Sequence, residues 1–168
     1  MHFTIRPEGP DDAQAIHHVT EAAFLSALRT SHTEAFIVRA LRAAGELTVS
    51  LVAEAGGELI GHVAVSPVRI EGAHDGWYGL GPLSVLPAHQ GQGIGAQLTR
   101  QALDALRALG ARGCVVLGNP AYYTRFGFQT EARLVLPGVP ASHFMAIALR
   151  DPIPSGVVAY SAAFEATA

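Results

Sequence analysis

A glycine-rich turn that opens a strongly patterned helix is the feature that most constrains this chain. Gly91, Gly93 and Gly95 lie where the segment after Val85 passes into a helical pattern. Each glycine disfavours a helix by about 1 kcal/mol relative to alanine, so three of them weaken the element unless something must lie close to the backbone. Free N–H groups at a helix N-terminus attract anions, helped by the helix dipole. The turn therefore predicts a site for a phosphate-bearing ligand rather than a merely flexible loop.

Two common glycine motifs do not fit this turn. A P-loop requires Lys followed by Ser or Thr after its last glycine, but Ala96 and Gln97 follow Gly95 here. A dinucleotide-binding site requires G-x-G-x-x-G/A directly after a strand and an acidic residue about 20 positions later. Gly91, Gly93 and Ala96 have that spacing, but Pro87-Ala-His-Gln90 intervenes after the strand, and the region at 115–119 has no carboxylate. A nicotinamide-dependent oxidoreductase is therefore the weakest hypothesis.

Three segments together resemble the GNAT superfamily of N-acetyltransferases. Gln90-Gly-Gln-Gly-Ile-Gly95 resembles its Q/R-x-x-G-x-G/A acyl-CoA signature. Upstream, Leu80-Gly-Pro-Leu-Ser-Val-Leu-Pro87 resembles the central strand and the loop after it, and downstream Tyr122-Tyr-Thr-Arg-Phe-Gly-Phe128 resembles the Y-x-x-x-G-F segment. The resemblance implies one α/β (α+β) domain over residues 1–168. It also implies a central mixed, mostly antiparallel sheet of about seven strands, splayed at the central strands and flanked by about four helices.

The resemblance also implies a site for acetyl-CoA as co-substrate. The pantetheine arm would pair with the first splayed strand, and the pyrophosphate would lie over the glycine turn. Gln92 stands where the family often has a basic residue, so the backbone rather than a side-chain charge would hold the phosphates. The expected cofactor-binding residues are Leu83, Ser84, Val85, Gln90, Gly91, Gln92, Gly93, Ile94, Gly95, Ala96, Asn119 and Tyr122.

Tyr123 is the expected catalytic residue, because it precedes Gly127 and Phe128 at the spacing of the family's general-acid tyrosine. It would protonate the departing thiolate, since a free thiol titrates near ~8.5. Tyr122 is the alternative donor. Arg125 would meet a cofactor phosphate or remain solvated.

The group that takes the proton of the attacking amine is not indicated by any motif. An alkyl amine titrates near ~10.4, so a base or a water chain must deprotonate it. The strand from Trp77 to Val85 offers no carboxylate. Glu34 on the second predicted helix and His62 on a central strand would face the acceptor cleft. The remaining candidates besides water are Glu21, His74 and Asp75.

Composition limits the class of protein. The chain has 168 residues, 49% hydrophobic and 15% charged, which is typical of a globular domain with a buried sheet. A net charge of −3 argues against a nucleic-acid binder. The single cysteine, Cys114, lies in an apolar run and is expected in the core. No signal peptide, membrane span or metal-ligand spacing is visible, so a cytoplasmic protein without metal is expected.

Hydrophobic periodicity predicts the elements in chain order. A short strand around Phe3 and Ile5 precedes a helix that starts near Pro10, and a second helix starts near Ser31 or Thr33 and ends at Gly45. The long helix should run from Gly93 to Leu109, with Ile94, Leu98, Ala102, Leu106 and Leu109 inward. The other expected segments are a hairpin of 48–55 and 58–70, strands at 77–85 and 113–117, helical turns at 120–126, and strands near 129–136, 143–149 and 157–164. Gly81-Pro82 predicts a bulge in its strand.

These observations favour an N-acetyltransferase that transfers an acetyl group to a primary amine of a small molecule or an amino terminus. The alternative is a catalytically silent acyl-CoA-binding regulatory module. Tyr160 and Phe164, on the last predicted strand, would line the acceptor site, pack in the core or form a homodimer contact. The identity of the acceptor is not readable from the sequence.

Overall fold

The helices and strands follow the predicted order closely. A computed structural model describes residues 2–25, 27, 30–72, 75–150 and 152–168. The helices are α1 (Ala13–Phe24), α2 (Glu34–Ala43), α3 (Ile94–Leu109) and α4 (Pro120–Tyr123). The strands are β1 (Thr4–Pro7), β2 (Val49–Ala55), β3 (Glu58–Pro67), β4 (Arg69–Ile70), β5 (Trp77–Val85), β6 (Gly113–Leu117), β7 (Gln129–Thr130), β8 (Leu134–Val135), β9 (Phe144–Ala148) and β10 (Gly156–Ala159).

Seven of the described strands form one sheet, in the order β1-β2-β3-β5-β6-β9-β7. Neighbouring strands are antiparallel except β5 and β6, which run parallel. This arrangement confirms the predicted mixed, mostly antiparallel sheet. A second sheet of three strands, β4-β10-β8, was not predicted, because its strands have only two to four residues and show no clear alternation.

The two faces of the main sheet are covered by different helices. Leu51 and Val63 pack against α3, whereas Val52 and Ala64 pack with the buried residues of α1 and α2. Gly61 lets α3 approach β3 closely, because a Cβ there would lie 3.1 Å from Leu98 Cδ1. Burial of each apolar side chain at such a face contributes roughly 1.5–3 kcal/mol.

Glycines end the long helix and close the first hairpin as expected. Gly56 and Gly57 both have positive φ, which the turn between β2 and β3 requires. Gly110 caps α3 in the left-handed conformation. The prediction that Leu109 faces inward is wrong, because its side chain is 57% exposed at the last turn of the helix.

The predicted bulge at Gly81-Pro82 is confirmed. Val63 pairs with Leu83 and Val65 pairs with Leu80, so the two residues of β5 lie opposite Ala64 alone. The extra residue changes the direction of β5 immediately after its pairing with β6 ends.

Three predicted strands are shorter than expected. The segment 58–70 is divided at Val68, and only its first part belongs to the main sheet. The segment 129–136 is divided by a turn in which the Glu131 carboxylate accepts hydrogen bonds from the amide and guanidinium of Arg133. The segment 157–164 leaves the extended conformation at Ser161, whose Oγ accepts from the amide of Ala163 and begins a 3-10 turn.

Substitution of Gly113 should destabilise the fold. A Cβ at this position would lie 2.3 Å from the Trp77 ring, which is buried, while β5 and β9 hold the backbone on both sides. We expect Gly113→Ala to lower the free energy of unfolding in urea by about 2–3 kcal/mol. The control is Gly9→Ala, where a Cβ would lie 3.4 Å from the Asp12 carboxylate, which is an ordinary van der Waals distance. This variant should therefore keep nearly the stability of the wild type. Equal stability of the two variants would contradict the packing described.

Candidate active site

A gap opens between β5 and β6 where the two strands stop pairing. Their last paired residues are Leu80 and Val116, but β5 continues to Val85. The amide of Leu86 donates to the carbonyl of Ile60 on β3, at 2.9 Å. Backbone groups alternate in direction along an antiparallel strand, so those of Leu83 and Val85 point away from β3, into the gap. The gap confirms the predicted splay.

Ser84 points in the opposite direction from its neighbours. It lies opposite His62 on β3, and its side chain is buried on the face covered by α1 and α2. Its backbone therefore faces β3. The alternation of the strand therefore favours Leu83 and Val85 over Ser84 as residues that face the gap, and the cofactor contact of Ser84 stays a prediction.

The glycine turn presents free amides at the mouth of the gap. Gly91 and Gly93 have φ of 78° and 83°, a conformation that glycine adopts without strain. The first hydrogen bond of α3 joins the amide of Gln97 to the carbonyl of Gly93, at 3.1 Å. The amides of Ile94, Gly95 and Ala96 therefore have no partner within the helix. A Cβ at Gly93 would contact nothing within 4 Å, so open space lies above the turn.

A cavity of about 270 Å³ lies at this turn. Most of the predicted cofactor-binding residues line this cavity, and Arg125 and His89 line it as well. Gln92 is exposed and does not line the cavity. Gln90 has a structural role, because its side-chain amide donates to the carbonyl of Val85 at 3.0 Å and ties the turn to β5. The lining residues are Leu83, Val85, His89, Gln90, Gly91, Gly93, Ile94, Gly95, Ala96, Tyr122 and Arg125.

A larger cavity of about 760 Å³ lies in the gap. Leu83 and Tyr122 line both cavities, so the two adjoin at these residues, and together they are called the groove. The groove extends from the glycine turn, along the second half of β5, to the α1 and α2 side of the sheet. The larger cavity is lined by Phe24, Glu34, Ile37, Leu80, Gly81, Pro82, Leu83, Leu117, Gly118, Asn119, Tyr122, Tyr123, Leu136, Pro137, Val139, Tyr160 and Phe164.

Tyr122 and Tyr123 occupy different parts of the groove. The Tyr122 hydroxyl lies 2.7 Å from the position a Cβ would take at Gly95, and Arg125 stacks on its ring at 4.4 Å. The Tyr123 ring packs on Gly118, where a Cβ would be 2.5 Å away. Burial raises the pKa of Tyr123 well above its usual value near ~10, which keeps its hydroxyl protonated at neutral pH.

Asn119 begins the short helix that carries both tyrosines. Its side-chain Oδ1 accepts a hydrogen bond from the amide of Ala121 at 2.9 Å, and Pro120 occupies the first helical position. The residue thus caps α4 and also lines the larger cavity.

The C-terminal segment closes the far end of the larger cavity. Tyr160 and Phe164 do not lie on an alternating strand as predicted, because the chain turns at Ser161. Their rings make an edge-to-face contact at 4.9 Å and both line the cavity. The Tyr160 hydroxyl is buried without a hydrogen-bond partner among the described residues, and burial raises its pKa.

Comparison with known proteins agrees with this arrangement. Residues 46–130 match the family model described as "Acetyltransferase (GNAT) domain". The chain is 42% identical over 129 residues to a protein of Escherichia coli strain K12 named "Uncharacterized N-acetyltransferase YhbS", covering 76% of this chain and 74% of that protein. The chain belongs to the GNAT acetyltransferase family.

Two solved GNAT structures resemble the whole chain. One is a GNAT family acetyltransferase from Brucella melitensis in complex with acetyl-CoA, with 52% identity, a TM-score of 0.87, and coverage of 97% of this chain and 98% of that chain. The other is YhbS from Escherichia coli in complex with CoA, with 38% identity, a TM-score of 0.89, and coverage of 98% and 93%. These matches confirm the resemblance seen in the sequence and the class of enzyme, an acyltransferase.

Among the described residues, Glu34 is the only candidate base that lines the groove. It begins α2, and its Oε2 accepts a hydrogen bond from the Thr30 hydroxyl. Glu21 is exposed on α1 and lies 3.8 Å from His17, whereas Asp75 is exposed before β5. His74 lies outside the described residues.

His62 lies within the sheet rather than in the groove. Ser50 Oγ donates to Glu8 at 2.6 Å, so the Ser50 oxygen accepts from His62 Nε2, which lies 2.8 Å away. Arg42 donates twice to the same Glu8 carboxylate. The imidazole therefore carries a proton on Nε2, and its Nδ1 is buried without a hydrogen-bond partner among the described residues. Burial lowers the pKa of His62 to about 4.

The buried His62 should make the stability of the GNAT fold depend on pH. Between about pH 6.5 and 4 the unfolded chain binds a proton that the folded chain does not. Stability should thus fall by up to about 3 kcal/mol as the pH drops through this window. His62→Gln retains a donor for Ser50 and does not titrate.

Urea unfolding at several pH values tests this expectation. We expect the His62→Gln variant to lose most of the slope between pH 6.5 and 4. Ser50→Ala, which keeps the imidazole, should retain that slope. The same slope in His62→Gln and in the wild type would contradict the assignment.

The described residues contain neither a metal-binding cluster nor a membrane-spanning helix. No group of three or more His, Cys, Asp and Glu side chains is placed to hold a metal ion in these ranges. None of the helices that the structure describes is long and apolar enough to cross a membrane. Cys114 is buried, as predicted, and burial raises the pKa of its thiol.

Some residues of the groove were not predictable from the sequence. His89 lies between the strand and the glycine turn, where the motif carries no information. Leu136, Pro137 and Val139 reach the larger cavity only through the turn that divides the predicted strand at 129–136. Nothing in the local sequence indicates that turn.

Proposed function

We propose that this protein transfers the acetyl group of acetyl-CoA to a primary amine by direct attack on the thioester. The observation that carries the proposal is that the two cavities of the groove adjoin at Leu83 and Tyr122. The free amides of the glycine turn lie at one end, the unpaired edge of β5 lies in the middle, and Tyr123 and Glu34 line the other part. The crystallised relatives with acetyl-CoA and CoA support this choice of donor.

The residues of the groove suit the parts of acetyl-CoA. Backbone N–H groups from Gly91 to Ala96 would receive the pyrophosphate, because a helix N-terminus favours anions. Arg125 lines the same cavity and would add a positive charge. The backbone of Leu83 and Val85 would pair with the amide groups of the pantetheine arm as an added strand does. A nearby backbone N–H would stabilise charge on the thioester oxygen.

The reaction balances with one proton donor and one proton acceptor. The neutral amine nitrogen forms a bond to the carbonyl carbon of the thioester, and the carbon–sulfur bond breaks. The sulfur takes the proton of the Tyr123 hydroxyl, and the nitrogen loses its extra proton to a base or to water. Tyr123 suits the first role, since its hydroxyl is protonated and its ring lines the gap.

A thiol-release assay with acetyl-CoA and a panel of amines tests this function. We expect release of free CoA that depends on the amine, together with an acetylated product 42 Da heavier than the amine, which is about the mass of an added acetyl group less one hydrogen. Binding of acetyl-CoA without turnover of any small amine or peptide amino terminus would favour the silent acyl-CoA-binding module instead. Binding of NADH without binding of acetyl-CoA would contradict both the transferase and the silent acyl-CoA-binding module.

A further inference from the structure

The acceptor end of the groove has an unusual distribution of charge. Among the described residues that line the larger cavity, Glu34 carries the only charged side chain. The walls around it are aromatic or aliphatic. They comprise Phe24, Ile37, Val139, Tyr160 and Phe164.

The two oxygens of the Glu34 carboxylate differ in their contacts with the described residues. Its Oε2 accepts from the Thr30 hydroxyl, and the Ser31 hydroxyl lies 3.5 Å from the same oxygen. Its Oε1 is buried and has no hydrogen-bond partner among the described residues. The carboxylate thus has hydrogen-bonding capacity that the described residues do not use, and a cationic donor in the cavity that Glu34 lines would form a charge-assisted hydrogen bond with it.

The apolar walls limit what else the ligand can carry. A second ammonium group would be buried against aromatic and aliphatic side chains without a counter-charge, which is costly. A carboxylate on the ligand would share the cavity with Glu34 and no compensating cation among the described lining residues. An uncharged aromatic or aliphatic body fits the walls and buries apolar area as it binds.

Building on the function proposed above, we propose that the acceptor is a monoamine with an uncharged apolar body, and that Glu34 binds its ammonium group and takes the proton before attack. The Glu34 carboxylate receives the ammonium, and the body lies between the α1–α2 side and the C-terminal aromatic pair Tyr160 and Phe164. Proton transfer from nitrogen to the carboxylate leaves the neutral amine that attacks the thioester carbon.

Matched amines test the substrate class. 2-Phenylethylamine has one cation and an apolar body, phenylalanine adds a carboxylate to the same skeleton, and spermidine replaces the body with further cations. With acetyl-CoA saturating, we expect kcat/KM for 2-phenylethylamine to exceed the values for the other two by at least about 30-fold. A preference for phenylalanine or spermidine would overturn the assignment.

Variants of Glu34 test its role. We expect Glu34→Gln to lower kcat/KM for 2-phenylethylamine by at least about 30-fold and to leave acetyl-CoA affinity unchanged. Glu34→Asp keeps the charge and should restore part of the rate. The control is Glu21→Gln, an exposed glutamate outside the groove, which should behave as wild type. Wild-type rates in Glu34→Gln would overturn the proposal.

Calorimetric titration of 2-phenylethylamine into the CoA complex separates this inference from the proposed function. Binding that is lost in Glu34→Gln, with no turnover of acetyl-CoA, would support the ammonium site and contradict the transferase function. Turnover of other amines with no binding of 2-phenylethylamine would support the function and overturn the ammonium site.

Discussion

Gly93→Glu should abolish binding of acetyl-CoA. The substitution places a carboxylate in the open space above the first free amides of α3, where the pyrophosphate would lie. Repulsion between the carboxylate and the phosphates, together with the lost space, should weaken binding by at least about 100-fold, which is ~3 kcal/mol. Calorimetric titration of each variant with acetyl-CoA measures the effect.

The matched control for this substitution is Gly57→Glu. Gly57 has φ of 81°, close to the 83° of Gly93, and a Cβ there also contacts nothing within 4 Å. Both variants therefore carry the strain of a side chain at positive φ, which is about 1–3 kcal/mol. Only Gly93→Glu should lose the ligand. Equal affinity in the two variants would contradict a phosphate site at the glycine turn.

Tyr123→Phe should lower turnover far more than it lowers cofactor affinity. The substitution removes the proton donor but keeps the ring that packs on Gly118 and Phe128. General acid catalysis typically contributes 10²–10⁴-fold, so we expect kcat to fall by about 100-fold or more. The dissociation constant of acetyl-CoA should stay within about threefold of wild type, which is less than 1 kcal/mol. Steady-state kinetics and calorimetry measure the two quantities separately.

Two other tyrosines of the cavity provide controls for that result. Tyr122→Phe removes the hydroxyl beside Gly95, and we expect its main effect on acetyl-CoA affinity rather than on kcat. Tyr160→Phe removes a buried hydroxyl that has no hydrogen-bond partner among the described residues, and it should change kcat little. A larger fall in kcat for either variant than for Tyr123→Phe would move the general acid to that residue.

Elements with strong local patterning were predictable from the sequence. The long helix between Gly93 and Gly110 has caps and an apolar stripe that local physics determines. The hairpin at Gly56-Gly57 and the bulge at Gly81-Pro82 likewise depend on residues with restricted or unusual backbone conformations. For these segments, neighbours in sequence supply most of the information needed.

Elements that depend on distant contacts were not predictable. The second sheet joins β4, β8 and β10, which are short and far apart in the chain. The strand expected at 129–136 is divided because the Glu131 carboxylate binds Arg133, and nothing in the apolar pattern reveals that turn. Each of these segments is too short for a periodic pattern to decide its conformation.

The candidate site shows the same division. The glycine turn and the backbone of Leu83 and Val85 follow from motif and strand alternation. The orientation of Ser84 follows from the register with β3, which the sequence does not specify. The sequence does not indicate which of Glu21, Glu34 and His62 lines the groove. Glu34 lines it because α2 packs against the C-terminal turn, and this contact joins residues that are far apart in the chain.

Thermal unfolding with acetyl-CoA, CoA and NADH, each added alone, tests the central claim most directly. A ligand at 100 times its dissociation constant stabilises the folded chain by about 2.7 kcal/mol. For a chain of this size, we expect acetyl-CoA and CoA to raise Tm by roughly 5–10 °C, and NADH to leave it unchanged. A rise with NADH and none with either CoA species would contradict the assignment and indicate a dinucleotide site at the glycine turn.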